Sequence, residues 1–222
     1  MEKPIDSAAL KKAKDDAVAA NIKILENLYS FLISLALTQA TIKLVDTTIS
    51  KGISLHFLDN FALYASLLAT IVPFYQGMNR FLYETHVVRP LEKPDFKSSP
   101  MLLDIYSFLL MGSAIFAMGR FVDNPPNFFY LWSILLIVDV AWSLIVWKIQ
   151  KSRAPIWALN NFFWLALSWA LWGINHNFPE LLAGSAKDRI ATYGLAILQI
   201  FRSILDYKIN WKFYFPPEYK GF

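Results

Sequence analysis

The stretch NFFYLWSILLIVDVAWSLIVW, residues 127–147, decides the fold, because its one charged residue is Asp139. Wound as a helix at about 1.5 Å per residue, it covers roughly 30 Å, the thickness of a bilayer's hydrocarbon. Asp123-Asn124-Pro125-Pro126 ahead of it is a turn that no helix continues through, and Lys148 closes its other end. Working outward, five more runs of similar character follow the same logic: Ile24–Val45, Phe57–Phe81, Met101–Gly119, Ala154–Ile174 and Ile190–Tyr207. The sequence therefore predicts an all-α integral membrane protein, a bundle of six spans. It divides into a polar helical arm over residues 1–23, a membrane domain over 24–207 and a tail over 208–222.

Composition agrees with that reading. Of 222 residues, 56% are hydrophobic, 16% aromatic and 17% charged. A soluble chain of this size leaves roughly a quarter to a third of its unfolded surface in water, too much to hide so many apolar groups. Lipid can cover the remainder. Cysteine is absent, which excludes disulfides and thiolate metal sites. The net charge of +4 predicts no nucleic-acid partner, since the basic residues sit where orientation in a membrane requires them.

Counting Lys and Arg by connector sets the orientation. Sixteen of the 21 fall on the arm, the second and fourth connectors and the carboxyl end, leaving Lys43, Lys51, Arg120, Lys187 and Arg189 on the other side. This asymmetry puts both termini in the cytoplasm, in a plasma or inner membrane. Asp6 or Ser7 is the expected N-cap of one long helix entering the bilayer. The run is too long and starts too late for a signal peptide. Trp132, Trp147, Trp157, Trp172, Trp211, Tyr207 and Tyr214 fall near span ends, where amphipathic rings settle at headgroup level.

Charges inside the hydrocarbon cost about 2.5–3.5 kcal/mol each on insertion scales, so each requires a partner, water or a function. Asp139 and Arg202 fall at comparable depth on spans crossing in the same direction, which makes an ion pair feasible. With Glu26, Arg80, Asp104 and Asp206 they form an expected inner-leaflet charge network, either a set of packing salt bridges or part of an ion or proton path. The first span carries a second pattern: Asn27, Ser30, Ser34, Thr38 and Thr41 recur at three- and four-residue spacing and so share one helical face. Such a stripe suits close helix packing or a pore wall that partly replaces an ion's hydration. Pro73 and Gly77 in the second span predict a kink.

Catalysis has little material. His56, His86 and His176 lie in different connectors without metal-ligand spacing, and no phosphate loop or nucleophile elbow is present. No catalytic residue, metal or cofactor is predicted.

Two segments resemble the six-span prokaryotic relatives of the lysosomal potassium channel family. Leu25-Glu26-Asn27-Leu28-Tyr29-Ser30, continuing to Thr38, is similar to that family's first helix, and Phe74-Tyr75-Gln76-Gly77-Met78-Asn79-Arg80 to the end of its second. Phe31 stands where the family's signature has Asp, and the paired histidines are missing. The resemblance implies a homotetramer whose first helix lines a cation path. The sequence thus points to a homo-oligomeric, cation-conducting channel with the stripe toward the axis. Its competitor is a membrane anchor or effector acting through a cytoplasmic protein partner, as in a prokaryotic defence or signalling pair.

Overall fold

A computed structural model describes residues 7–92, 97–151, 154–177 and 187–215, and among these there is no strand. Helix α1 (Ser7–Lys51) precedes α2 (Leu55–Tyr83), which runs on through a π-helical turn (Glu84–Val88) into the short α3 (Arg89–Glu92). Then come α4 (Met101–Arg120), α5 (Pro125–Gln150), α6 (Ala154–Asn177), α7 (Lys187–Ile209) and the single turn α8 (Trp211–Tyr214). Each of the six predicted runs lies within one long helix. The arm and the first run form one helix, about 67 Å long at 1.5 Å per residue and so longer than a bilayer is thick. Of the two expected N-caps, Asp6 lies outside the described residues, and α1 begins at Ser7.

The connectors follow from local chemistry. Gly52 takes the left-handed conformation (φ +65°) that ends α1, and its N–H returns to the Thr48 carbonyl at 2.9 Å. Asn124 caps α5 by accepting from the Asn127 N–H at 3.2 Å, with Pro125 and Pro126 filling the first turn, where their missing donors are harmless.

The long helices close a ring. Helix α1 packs between α2 and α4, α5 between α4 and α6, and α7 joins α6 back to α2, while α2 also touches α4. Small residues set a close crossing: a Cβ on Gly119 would run into the Ala36 carbonyl oxygen, so the α1 and α4 backbones touch there. Close approach of this kind drives helix association in lipid, where burying apolar surface supplies no force.

Pro73 sits inside α2, which continues unbroken past it. A proline there leaves the carbonyl four residues earlier, that of Ala69, without its helical donor. The Ser203 hydroxyl of α7 donates to that carbonyl, which explains how the helix tolerates the proline. Gly77, the other half of the predicted kink, makes room for Tyr214: its Cβ would lie 3.4 Å from that hydroxyl.

Among the described residues, four helices are long and apolar enough to cross a membrane: α1, α2 with its π-helical extension, α4 and α5. The chain is a helical membrane protein. Helices α6 and α7 have a mixed character, because their inward faces are polar (Asn161, Ser168, Thr192, Gln199, Arg202, Ser203 and Asp206 are buried). Their outward faces are apolar, with Ile156, Leu159, Phe162, Phe163, Ile197, Phe201 and Ile204 exposed. Two members of the expected headgroup belt belong instead to the interior: Trp132 and Tyr214 are buried, whereas Trp147 and Trp211 are exposed. Trp132 is carried inward because it shares the face of α5 that buries Phe128, Phe129, Leu135 and Asp139.

Candidate functional site

The stripe on α1 lies on the outside of the bundle. Asn27, Ser34, Thr38 and Thr41 are exposed and Ser30 is half-buried. Their hydroxyl protons are already committed: Ser30 Oγ donates to the Glu26 carbonyl (2.7 Å), Ser34 Oγ to Ser30 (2.8 Å) and Thr38 Oγ1 to Ser34 (2.8 Å). This i−4 bonding spends each proton on the preceding turn and leaves oxygen lone pairs facing outward. Helix α2 extends the polar surface. Tyr75 shares a 2.9 Å hydrogen bond with Ser30, and Thr41 Oγ1 donates to the Tyr64 hydroxyl at 3.3 Å, an antiparallel register in which each residue of α1 meets one of α2. Between the two helices runs a groove of about 510 Å³ lined by Ser30, Ser34, Tyr75, Gln76 and Asn79 together with apolar Ile33, Ile71 and Val72.

The six charges expected inside the membrane do not form one network. They separate into three groups, with Glu26 apart. In the ring's centre Asp139 and Arg202 are buried (8% and 3% exposed) but make no direct ion pair; Asn161 of α6 stands between them. Its amide nitrogen donates to Asp139 Oδ2, and its oxygen accepts from Arg202 Nε (3.0 Å) and Nη2 (2.5 Å). The guanidinium also lies over the Phe74 ring, 5.0 Å from its centroid. One turn along α7, Asp206 accepts from Asn210 Nδ2 (2.9 Å) and from the Tyr214 hydroxyl (2.5 Å). A cavity of about 50 Å³ is walled by these groups with Gly77, Trp142 and Trp157.

Asp104 belongs to a second cluster, fully buried at the start of α4. His86 Nε2 lies 2.8 Å from its Oδ2, Ser99 Oγ donates to the same oxygen at 2.5 Å, and Trp142 Nε1 donates to Oδ1 at 2.8 Å. His86 is carried by the π-helical turn, which continues α2 over Asp104. Arg80 pairs with Glu84 four residues on at 2.6 Å, and Arg89 lies 3.8 Å from the same carboxylate. Glu26, half-buried on α1, makes no ion pair among the described residues.

Reading the sequence for charges overlooked the residues that join them. Asn161 is the plainest case, and its signal was the Asn160-Asn161 pair inside an otherwise apolar run. Tyr214 and Trp142 were legible as belt or core aromatics; their roles depend on which carboxylate they meet. Among the described residues no group of three or more His, Asp or Glu side chains is placed to hold a metal ion. Comparison with protein-family models, curated proteins and solved structures finds no match for this chain.

Proposed function

We propose that the chain is the six-span subunit of a homo-oligomeric cation channel, with both termini in the cytoplasm of a plasma or inner membrane and the polar face of α1 turned toward the symmetry axis. The observation that carries this reading is the cover on α1: 22% of its most apolar window is buried, against 50% for α5. Of the four long apolar helices α1, α2, α4 and α5, the least covered is thus the one that presents the polar stripe. A second copy seated against it would cover the stripe, and repeating the stripe about an axis would line a path. Its committed protons leave oxygen acceptors facing that path, which favours cations over anions. The apolar outer faces of α6 and α7 support their placement in lipid as the fifth and sixth spans. The resemblance to the lysosomal potassium channel family favours a tetramer, and no cofactor enters this reading.

Purified protein in planar bilayers should pass cation current. Ser34→Trp and Thr38→Trp should each abolish it by filling the path, while Phe162→Trp, on the outer face of α6, should leave it unchanged. Unaltered conductance in both α1 variants removes this helix from the pore. Absence of current under every condition, together with a monomer in nanodiscs, favours the anchor reading, in which the arm of α1 would meet a cytoplasmic protein. Accessibility of single cysteines placed at Lys3 and Lys220 from opposite faces would overturn the even number of spans.

A further inference from the structure

The polar centre of the ring takes no part in the path along α1, yet it is connected to the same surface by a series of hollows. The α1–α2 groove shares Gln76 and Asn79 with a vestibule of about 350 Å³, whose other walls are Arg80, Tyr83, Tyr214 and Phe215. The vestibule in turn shares Tyr214 with the 50 Å³ cavity against Asp139, Arg202 and Asp206. Tyr214 is therefore a wall common to the vestibule and to the hollow against the buried charges. Tyr214 is held there by its 2.5 Å bond to Asp206 and by the Tyr207 ring, 4.6 Å away between centroids, opposite the space left by Gly77.

Two further donors near the cavity lack a hydrogen-bond partner. Trp157 lines it with an indole N–H that has no partner, and the Tyr29 hydroxyl of α1, fully buried and likewise without a partner, is within electrostatic reach of Asp139. Buried donors of this kind are satisfied by ordered water, and a cavity of about 50 Å³ takes one or two molecules. The charge inventory adds a demand. Two carboxylates face one guanidinium, the other groups at hand are the uncharged Tyr29, Asn161, Tyr207 and Tyr214, and Trp142 screens Asp104 by bonding it on the far side. A buried cluster with one excess negative charge is costly in low dielectric, and a single proton removes that cost.

We propose that Asp139, Arg202 and Asp206 form a proton-binding site inside the membrane, filled from the vestibule when Tyr214 withdraws. The proton passes from vestibule water to a carboxylate oxygen, and Tyr214 moves away carrying its own hydroxyl proton, so no other group changes charge. The site lies off the α1 face, and its test does not require current.

In nanodiscs, infrared difference spectra across the pH range in which the protein stays folded should show a carboxylic C=O band. Carbon-13 labelling of aspartate should shift it, and Asp139→Asn or Asp206→Asn should remove it, whereas Asp123→Asn should not. The chain lacks cysteine, so Met78→Cys, on the cavity wall, reports access of a small cationic thiol reagent. Labelling should be slow with Tyr214 or Tyr214→Phe, and about tenfold faster with Tyr214→Ala, as for a buried thiol opened to water. A titrating band that survives both Asn variants, or no band in the labelled wild type, overturns the proton site. An equal labelling rate with Tyr214 and Tyr214→Ala overturns the gate.

Discussion

Replacing Asn161 by leucine is the sharpest test of what holds the ring together. The substitution keeps the branched shape of the side chain, with a larger volume and a higher helix propensity, but removes three hydrogen bonds, one to Asp139 and two from Arg202. Two estimates of the cost compete. As ordinary interhelical hydrogen bonds in a membrane, at about 0.6 kcal/mol each, the three would sum to roughly 2 kcal/mol. As the bridge between two buried charges, their loss strands both ions, which costs about 3–5 kcal/mol. The second applies here, because Asp139 and Arg202 are 8% and 3% exposed and the one other contact of the guanidinium described is the Phe74 ring at 5.0 Å. Asn161→Leu should therefore lower unfolding free energy by about 3–5 kcal/mol in mixed micelles or by steric trapping. Combining it with Asp139→Leu and Arg202→Met should restore part of that loss, since neither end of the bridge is then left as a stranded ion, although the buried Asp206 loses the guanidinium it faces. A single-variant cost below about 1 kcal/mol, or strict additivity in the triple variant, would refute the bridge.

Three other expectations need no assumption about activity. Gly119→Leu should separate α1 from α4 and cost at least about 1–3 kcal/mol by the same unfolding assay, because even its Cβ meets the Ala36 backbone. Ser203→Ala should cost about 1–2 kcal/mol in the native chain, but little in a Pro73→Ala background, where the Ala69 carbonyl regains a helical donor; equal costs in both would sever the link between Ser203 and the proline. Lys43→Met should change stability by less than about 1 kcal/mol, because its 2.5 Å pair with Asp123 is solvent-exposed on both sides, and a larger loss would show that the pair is shielded by something outside the chain.

The six long helices were legible because each carries a long apolar run bounded by turn residues or charges, a pattern that local sequence sets without tertiary context. The long helix expected to start at Asp6 or Ser7 begins at Ser7, since nothing stops the first run from continuing back through the Ala- and Lys-rich arm; its limit shifted at the other end, which runs past Val45 to Lys51. The charged residues were also legible singly, since each is conspicuous in an apolar run. Their grouping was not. Depth along the helices brings Asp139 level with Arg202, but rotation about each axis decides whether the two carboxylate and guanidinium groups meet, and an uncharged residue on a third helix came between them. The same limit applies to Trp132 and Tyr214, whose position near a span end fits a headgroup ring equally well and whose burial follows from helix rotation alone. His86 joined Asp104 through a π-helical turn that no local pattern announces.

The polar stripe and the polar centre make opposite demands on their surroundings, and this difference makes function separable from folding. Ser30, Ser34 and Thr38 give their protons to their own helix, so their outer oxygens can face water, lipid or another copy at modest cost. Alanine at Ser34 or Thr38 removes an acceptor and strands nothing, so the variant should fold and any change in current reads the path itself, whereas Ser30→Ala also takes a partner from the Tyr75 hydroxyl. Arg202 has no such freedom, since its charge is held by Asn161 and the Phe74 ring in the middle of the ring. Substitution there changes stability and charge together. Conductance measured on α1 variants and protonation measured at Asp139 and Asp206 in the intact chain are therefore independent observations, and a result that sinks one leaves the other standing.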